Sequence, residues 1–267
     1  MTDDSPALPI DKNVPHSARI WNHWLGGKDN YLIDREVGDQ IAAMFPGIVQ
    51  TARQDRAFLG RAVQYLVGEA GVRQFLDIGT GLPTHDNTHQ VAQRIAGEAR
   101  IVYVDNDPLV LMHARALLTS TPQGACDYVH ADLRDPEYIL DAASGTLDFD
   151  QPIALMLLGI VHFLLDDDHA HAIVDKLVQA LPSGSYLAIA HATGDVDTED
   201  SLRSLHHWNE HGEPKMTFRT IPQIASFFDG LELVEPGVVS CSRWRAELTS
   251  QGLPPEVNQI CGLARKP

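Results

Sequence analysis

Cysteine, positive charge and long apolar runs are all scarce in this chain. The three cysteines, Cys126, Cys241 and Cys261, stand too far apart for a disulfide framework or a zinc cluster. No metal is expected, and a reducing, cytoplasmic setting fits. Lysine and arginine number 20 against 36 aspartates and glutamates, a formal charge of -16. Such a surface repels phosphate backbones and anionic bilayers, which argues against nucleic acid and membrane as partners. The longest nearly uncharged stretch, Pro152 to Leu165, is too short to span a bilayer. The N-terminal string MTDDSPALPIDKNVPHS starts acidic and lacks the apolar core of a secretory signal. Repeats and low-complexity linkers are absent too, so one domain is the default for 267 residues.

What the chain does contain is an alternation of short apolar runs with helical patterns. Residues 1–16 read as a disordered arm. The following segment is helical: Leu59, Ala62, Val63, Leu66 and Val67 repeat at three- and four-residue steps and make one apolar stripe. Strand-like runs then fall at 75–78, 101–104, 126–129, 153–158 and 186–190, each separated from the next by helical or loop sequence. Asp107-Pro108 supplies a capping carboxylate and a first-turn proline before LVLMHARALL. Ala170, Ile173, Val174, Leu177, Val178 and Leu181 form a second stripe. This pattern predicts an α/β fold, a doubly wound and mostly parallel sheet covered by helices on both faces. After Ala190 the sequence reads as a polar loop, then a helix around Ile221 to Phe228, then two strand candidates at 231–234 and 258–264. They leave no room for a long crossover helix, which favours antiparallel pairing at the far edge of the sheet.

The string FLDIGTGLPT, residues 75–84, leads the first strand into a glycine turn. Ligands of open α/β sheets sit beyond the carboxyl ends of the strands, and this turn lies there. Gly79 and Gly81 permit a sharp bend and close approach to a ligand, and Thr84 suits the N-cap of a following helix. A dinucleotide fingerprint would need a third glycine where Thr84 stands, which disfavours NAD. Asp77, just before the turn, repels a pyrophosphate and suits a ligand with positive charge; S-adenosylmethionine carries an ammonium and a sulfonium. Asp105 closes the second strand, where a carboxylate accepts paired ribose hydroxyls. Asp132 follows the third strand, placed to accept from an adenine amino group while Leu133 packs on the ring. Taken singly, Asp105 reads equally as a helix-capping or turn carboxylate and Asp132 as a turn residue before Pro136. The series, in chain order, is that of a nucleoside crevice.

The order LDIGTG, VYVDNDP, ADLRDP with an antiparallel tail resembles the class I S-adenosylmethionine-dependent methyltransferases. More narrowly, ARIWNHWLGGKDNYLID, RAFLGRAVQYL, FLDIGTGLPT, VYVDNDPLVLMHARALL, LELVEPGVV and SRW resemble an actinobacterial family once filed as a domain of unknown function. That match runs from about Ala18 to Gly262. It implies a Rossmann-like core over residues 71–267, a seven-stranded sheet whose last strand is antiparallel, and an N-terminal helical extension over residues 17–70. It also implies S-adenosylmethionine as cofactor. Gly79, Thr80 and Gly81 would line its methionine moiety, Asp77 would order the loop and the amino group, Asp105 the ribose, and Asp132 with Leu133 the adenine. Asn106 beside Asp105 and Gly159 after the fourth strand complete that set. The acceptor is not implied by the resemblance; a small molecule is the expectation, and a cofactor-binding sensor without turnover is the alternative.

Transfer from a sulfonium is an in-line displacement that asks the protein for alignment and desolvation. A hydroxyl or protonated amine acceptor would gain from a general base. His162, after the fourth strand in LLGIVHFLL, is the candidate, and His191 ends the fifth strand on the same rim. Either reads equally as a histidine satisfied by backbone groups. His85 and His89 stand one helical turn apart, but the general-base glutamate and a third ligand of a zinc motif are missing. DDDHAH, residues 166–171, reads as a solvated helix start. His206, His207, Trp208 and His211 lie in a segment that suits a lid or a loop anchored by Trp208. Trp21, Trp24 and Tyr31 surround the turn Gly26 to Asn30, which suits a segment folding over the crevice, with Tyr31 touching cofactor or acceptor.

Overall fold

The computed structural model describes residues 11–84, 86–117, 119–248 and 252–267. The first ten residues of the expected arm and His85 lie outside the described residues. Residues 11–16, also assigned to the arm, are tied down: Arg19 donates to the carbonyls of Asp11 and Val14, and the His16 N–H donates to Asp34 at 3.0 Å.

Among the described residues, three helices precede the first strand: α1 Ser17–Trp24, α2 Leu32–Met44 and α3 Ile48–Gly68. Strands β1 Gln74–Ile78, β2 Arg100–Asp105, β3 Ala125–His130, β4 Ala154–Leu158 and β5 Tyr186–Ala192 then pair in parallel. Between them run α4 Thr88–Ile95, α5 Pro108–Leu117, α6 Pro136–Ala143 and α7 Asp167–Gln179, with a 3-10 turn at Val161–Phe163. The tail adds α8 Thr198–His211, α9 Ile221–Ser226, β6 Glu232–Leu233, β7 Val239–Ser240 and β8 Gln259–Arg265. The strand order is β3-β2-β1-β4-β5-β8-β6, with β8 antiparallel to β5. The short β7 also pairs with β8, so β6 and β7 share one edge position and the sheet keeps the expected seven.

The strands are buried on both faces, so alternation shows in the partners rather than in polarity. Phe75, Ile101, Tyr103, Met156 and Ala188 pack with the α3 stripe, α4 and Trp244. Leu76, Ile78, Val102, Val104, Leu155 and Leu187 pack with α6, α7 and the Phe227-Phe228 corner. Asp77 and Asp105 keep the parity of Phe75 and Tyr103, which turns both carboxylates toward the α3–α4 side.

Two elements depart from the sequence-based expectation. The polar loop expected after Ala190 contains α8, whose buried face is Ser201, Ser204 and Trp208. Small hydroxyl side chains around a single tryptophan make a helical stripe that apolar periodicity does not register. Trp208 packs with Ile20, Val37 and Ile41, so it does anchor the segment, from a helix. The second departure is the start of α4, at Thr88 rather than after Thr84; Asn87 is its N-cap, with its N–H donating to Gln90 at 2.8 Å. Of the pair His85 and His89, His89 alone lies among the described residues, in the first turn of α4. His89 is buried against the Tyr103 hydroxyl, at 2.8 Å.

Phe58 of α3 is fully buried and meets Trp244 edge-on, ring centroids 5.3 Å apart. Phe58→Ala is expected to cost about 3–5 kcal/mol, read as a lowered midpoint in urea denaturation with an unchanged slope.

Candidate functional site

β1 is flanked by β2 on one side and β4 on the other, so chain order reverses there and a crevice opens beyond the strand ends. The turn after β1 forms its floor. Gly79 donates to the Val104 carbonyl at 2.8 Å, and the Thr80 hydroxyl donates to the Asp77 carbonyl at 3.0 Å. The structure divides the work of the two glycines. At Gly79, φ is +78° and a Cβ would stand 2.6 Å from Ile160 Cβ, so this glycine lets the turn pack against the β4 loop. At Gly81, φ is +65° and nothing lies within 4 Å of where a Cβ would be; this glycine leaves the crevice open.

The aspartates gather around that turn. Asp105 accepts from the Gly81 N–H at 2.7 Å and from the Asp107 N–H at 2.9 Å. Its burial raises the carboxyl above the ordinary range, against those two bonds. Asp77 accepts from the Thr88 hydroxyl at 2.6 Å, and burial pushes it up to about 6. Asp132 lies at the mouth, accepting from Asn106 at 2.9 Å and from Arg134 at 3.0 Å, so its carboxylate is already part of a surface pair. Leu133 beside it is buried on the wall, and Gly159, with φ +69°, lies on the rim near His162.

The crevice holds residues that the sequence did not single out. Asp55 of α3 is buried, accepts from Gln259 at 3.3 Å, and is pushed up to about 6 by desolvation. Arg56 beside it donates to Asn87 at 2.9 Å and its charge opposes the rise at Asp77. Asp55 had a signal, since it stands four residues before Leu59 on the apolar stripe. His16 and Trp21 bring the N-terminal segment onto the crevice wall, and His16 Nδ1 lies 3.1 Å from Asp107. Asn22 also faces the crevice and organises the glycine-rich turn that follows α1, accepting from the Asp29 N–H at 3.1 Å and from Asn30 at 2.9 Å. Tyr31, assigned to the cofactor set, is instead outside the crevice wall: it packs with Leu82, Leu109 and Val110 and lies under the Arg19 guanidinium. Its N–H donates to Asp34, so it serves the start of α2.

His162 is buried at the rim, but its environment does not suit the general base expected of it. Desolvation, helped by Arg219, lowers it to about 3, so the ring is neutral throughout the physiological range. A base that holds a proton in turnover needs a value near the working pH. Nδ1 of this ring is sealed from solvent without a hydrogen-bond partner. His191 is satisfied, donating from Nδ1 to the Ala192 carbonyl at 2.7 Å and accepting from Arg219 at 2.8 Å. Arg219 had no sequence signal. It is buried, and it also donates to the carbonyls of Val161 and Leu164 and to Asp167 of α7. It thereby fixes the turn that carries His162. The acids of DDDHAH cap and open α7 as expected, Asp166 accepting from the His169 N–H at 2.8 Å.

The family model for S-adenosyl methyltransferases matches residues 3–267. Among solved structures, a DUF574 family protein from Streptomyces avermitilis is 45% identical with a TM-score of 0.93, over 97% of this chain and 100% of that one. A second structure, from Thermobifida fusca, is 40% identical with a TM-score of 0.87, over 96% of both chains. A SAM-dependent methyltransferase from Anabaena variabilis shares the fold at 14% identity, TM-score 0.52, over 98% of this chain and 100% of that one. No curated protein matches the chain.

Because the folded value at Asp77 lies above the ordinary 3.8, its contribution to stability is present at low pH and lost as pH rises through about 6. Asp77→Asn keeps an acceptor for Thr88 and removes the titration. Thermal melts of the variant and the parent should coincide near pH 3, below both values, diverge as pH rises from about 4 to about 6, and by pH 8 show the variant as the more stable of the two.

Proposed function

The chain belongs to the S-adenosyl methyltransferase family, and from that premise we propose that its acceptor is a small molecule held beside His162, with the cofactor in the aspartate-lined crevice. The class I fold and the dependence on S-adenosylmethionine come with the family and its structural relatives. The residues of the crevice fit that cofactor. Two buried carboxyls, Asp77 and Asp55, are pushed up to about 6, a state that a bound cation relieves. The open side of Gly81 gives room for close approach, and the buried Thr84 hydroxyl on the same wall has no hydrogen-bond partner.

In this reading Asp77, with Gly79, Thr80 and Gly81, holds the methionine end. Asp105 and Asn106 face the ribose, and Asp132 with Leu133 flanks the adenine. S-adenosylmethionine supplies a methyl group already activated on a sulfonium. What remains for the protein is to orient the acceptor and exclude water. His16 and Trp21 cover the mouth, Gly159 keeps the rim clear, and neutral His162 offers a hydrogen bond rather than a standing base.

The observation that carries the proposal is the convergence of Asp77, Asp105 and Asp132 on one crevice that shares His162 and Phe163 with a second cavity. A protein that only sensed the cofactor would have no need of that second space. The test uses S-adenosylmethionine with a labelled methyl group and size-fractionated cell extract. Label appearing in the small-molecule fraction supports the proposal, and label appearing only in protein sinks it.

Calorimetry with S-adenosylhomocysteine, which keeps the ammonium, checks the crevice itself. Affinity should rise between pH 5 and pH 7 as Asp77 and Asp55 ionise. Asp105→Ala, which leaves the Gly81 and Asp107 N–H groups unpaired, should weaken binding at least tenfold, about 1.4 kcal/mol.

A further inference from the structure

Beyond His162 lies a cavity walled by α1, the start of α3, α8 and the segment Met216 to Phe218. It shares Ser17, Trp21, His162 and Phe163 with the crevice, so the two spaces meet at those side chains. We propose that this cavity seats the methyl acceptor, and that the acceptor is an uncharged aromatic compound bearing a hydrogen-bonding group that meets His162. The inference rests on the reading that the crevice holds S-adenosylmethionine.

Three features of the wall define the ligand. The first is charge: among the described residues that line the cavity there is no aspartate, glutamate, lysine or arginine. A charged ligand would lose its hydration there without a partner. The guanidinium of Arg219, 2.8 Å from the His191 ring that meets His162 edge-on, disfavours a cation, and Asp55, bonded to Gln259 of the wall, disfavours an anion.

The second feature is shape and surface. Trp21, Trp24 and Trp208 face the cavity, three of the four tryptophans in the chain, joined by Phe218 and Met216. Two of the indole N–H groups are already committed, Trp24 to the Gly38 carbonyl at 3.1 Å and Trp208 to the Pro214 carbonyl at 2.9 Å. They offer ring surface, which suits stacking or edge contact with a flat aromatic ligand.

The third is the disposition of polar groups. Thr51 donates to Asn258 at 3.0 Å, Ser204 to the Ser201 carbonyl at 2.7 Å, and Gln259 to Asp55. These groups spend their hydrogen bonds within the protein. His162 differs from them: it lines the wall common to both spaces, and its Nδ1 is buried without a hydrogen-bond partner. Leaving such an atom unmatched is costly, and a ligand hydroxyl or amine placed there satisfies it at the point where the acceptor must face the methyl donor. Burial and Arg219 keep that ring neutral, which makes it a partner for an uncharged group.

The test is a charge series of one shape at pH 7: 2-naphthol, 2-naphthoate and 2-naphthylmethylammonium, titrated by tryptophan emission with and without S-adenosylhomocysteine. The cavity tryptophans report occupancy directly. 2-Naphthol is expected to bind at least tenfold more tightly than either charged analogue. Leu205→Trp or Met216→Trp, which fill the cavity, should abolish its binding while leaving the calorimetric affinity for S-adenosylhomocysteine within twofold. Equal binding of the three, tighter binding of a charged member, absence of binding, or indifference to both filling variants overturns the proposal. The series on the unaltered protein decides the matter even if neither variant folds. Failure of S-adenosylhomocysteine to bind would instead overturn the crevice reading, and the naphthalene series without it reads the cavity separately.

Discussion

Asp105 is the tie on which the crevice depends. It stands where β2 ends, buried, and its two oxygens take the N–H groups of Gly81 and Asp107. One of those bonds holds the glycine turn after β1, and the other holds the approach to α5, whose first turn is capped in turn by the Asp107 carboxylate accepting from the Leu109 N–H. Two neighbouring strand ends are thus locked to each other through a single carboxylate. The turn cannot collapse into the space above it, because Gly79 is already pressed against Ile160 and Gly81 is drawn toward Asp105.

That arrangement concentrates acid where water is scarce. Asp77 and Asp55 sit in the same buried volume, and only Arg56 among the described crevice residues of α3 offsets them. The chain tolerates the cost because the strands beneath are packed on both faces, giving the site a rigid floor. On the other side of the rim the balance reverses: Arg219, two histidines held neutral by burial, and a set of backbone carbonyls form a closed polar knot. His162 belongs to both regions, with its backbone carbonyl taking the Thr217 N–H and its ring at the boundary.

The parts legible in the sequence are those written locally. Strand runs, the α3 and α7 stripes, the glycine turn and the aspartates at three strand ends each occupy a few consecutive residues, and the alternation of strands with helices is enough to give a mostly parallel sheet. What was hidden comes from contacts between distant segments. Arg219 acts on residues more than fifty positions away, α8 buries serines rather than leucines, and the second cavity is assembled from α1, α3, α8 and β8. Tyr31 shows the converse: an aromatic beside a glycine-rich turn suits a place at the ligand, while the fold packs it against Leu82 and under Arg19. Asp55 lay between the two cases, a charge on an apolar stripe whose meaning appears only when α3 is laid against β1.

Ser17, Trp21, His162 and Phe163 form a party wall between two chambers. An occupant on either side rests on the same four side chains, so any energetic influence that passes through them is reciprocal: whatever the first guest does to the affinity of the second, the second does equally to the first. The order in which the chambers fill is then invisible to equilibrium measurement and belongs to the kinetics of the segment from His16 to Trp21 that lies across both.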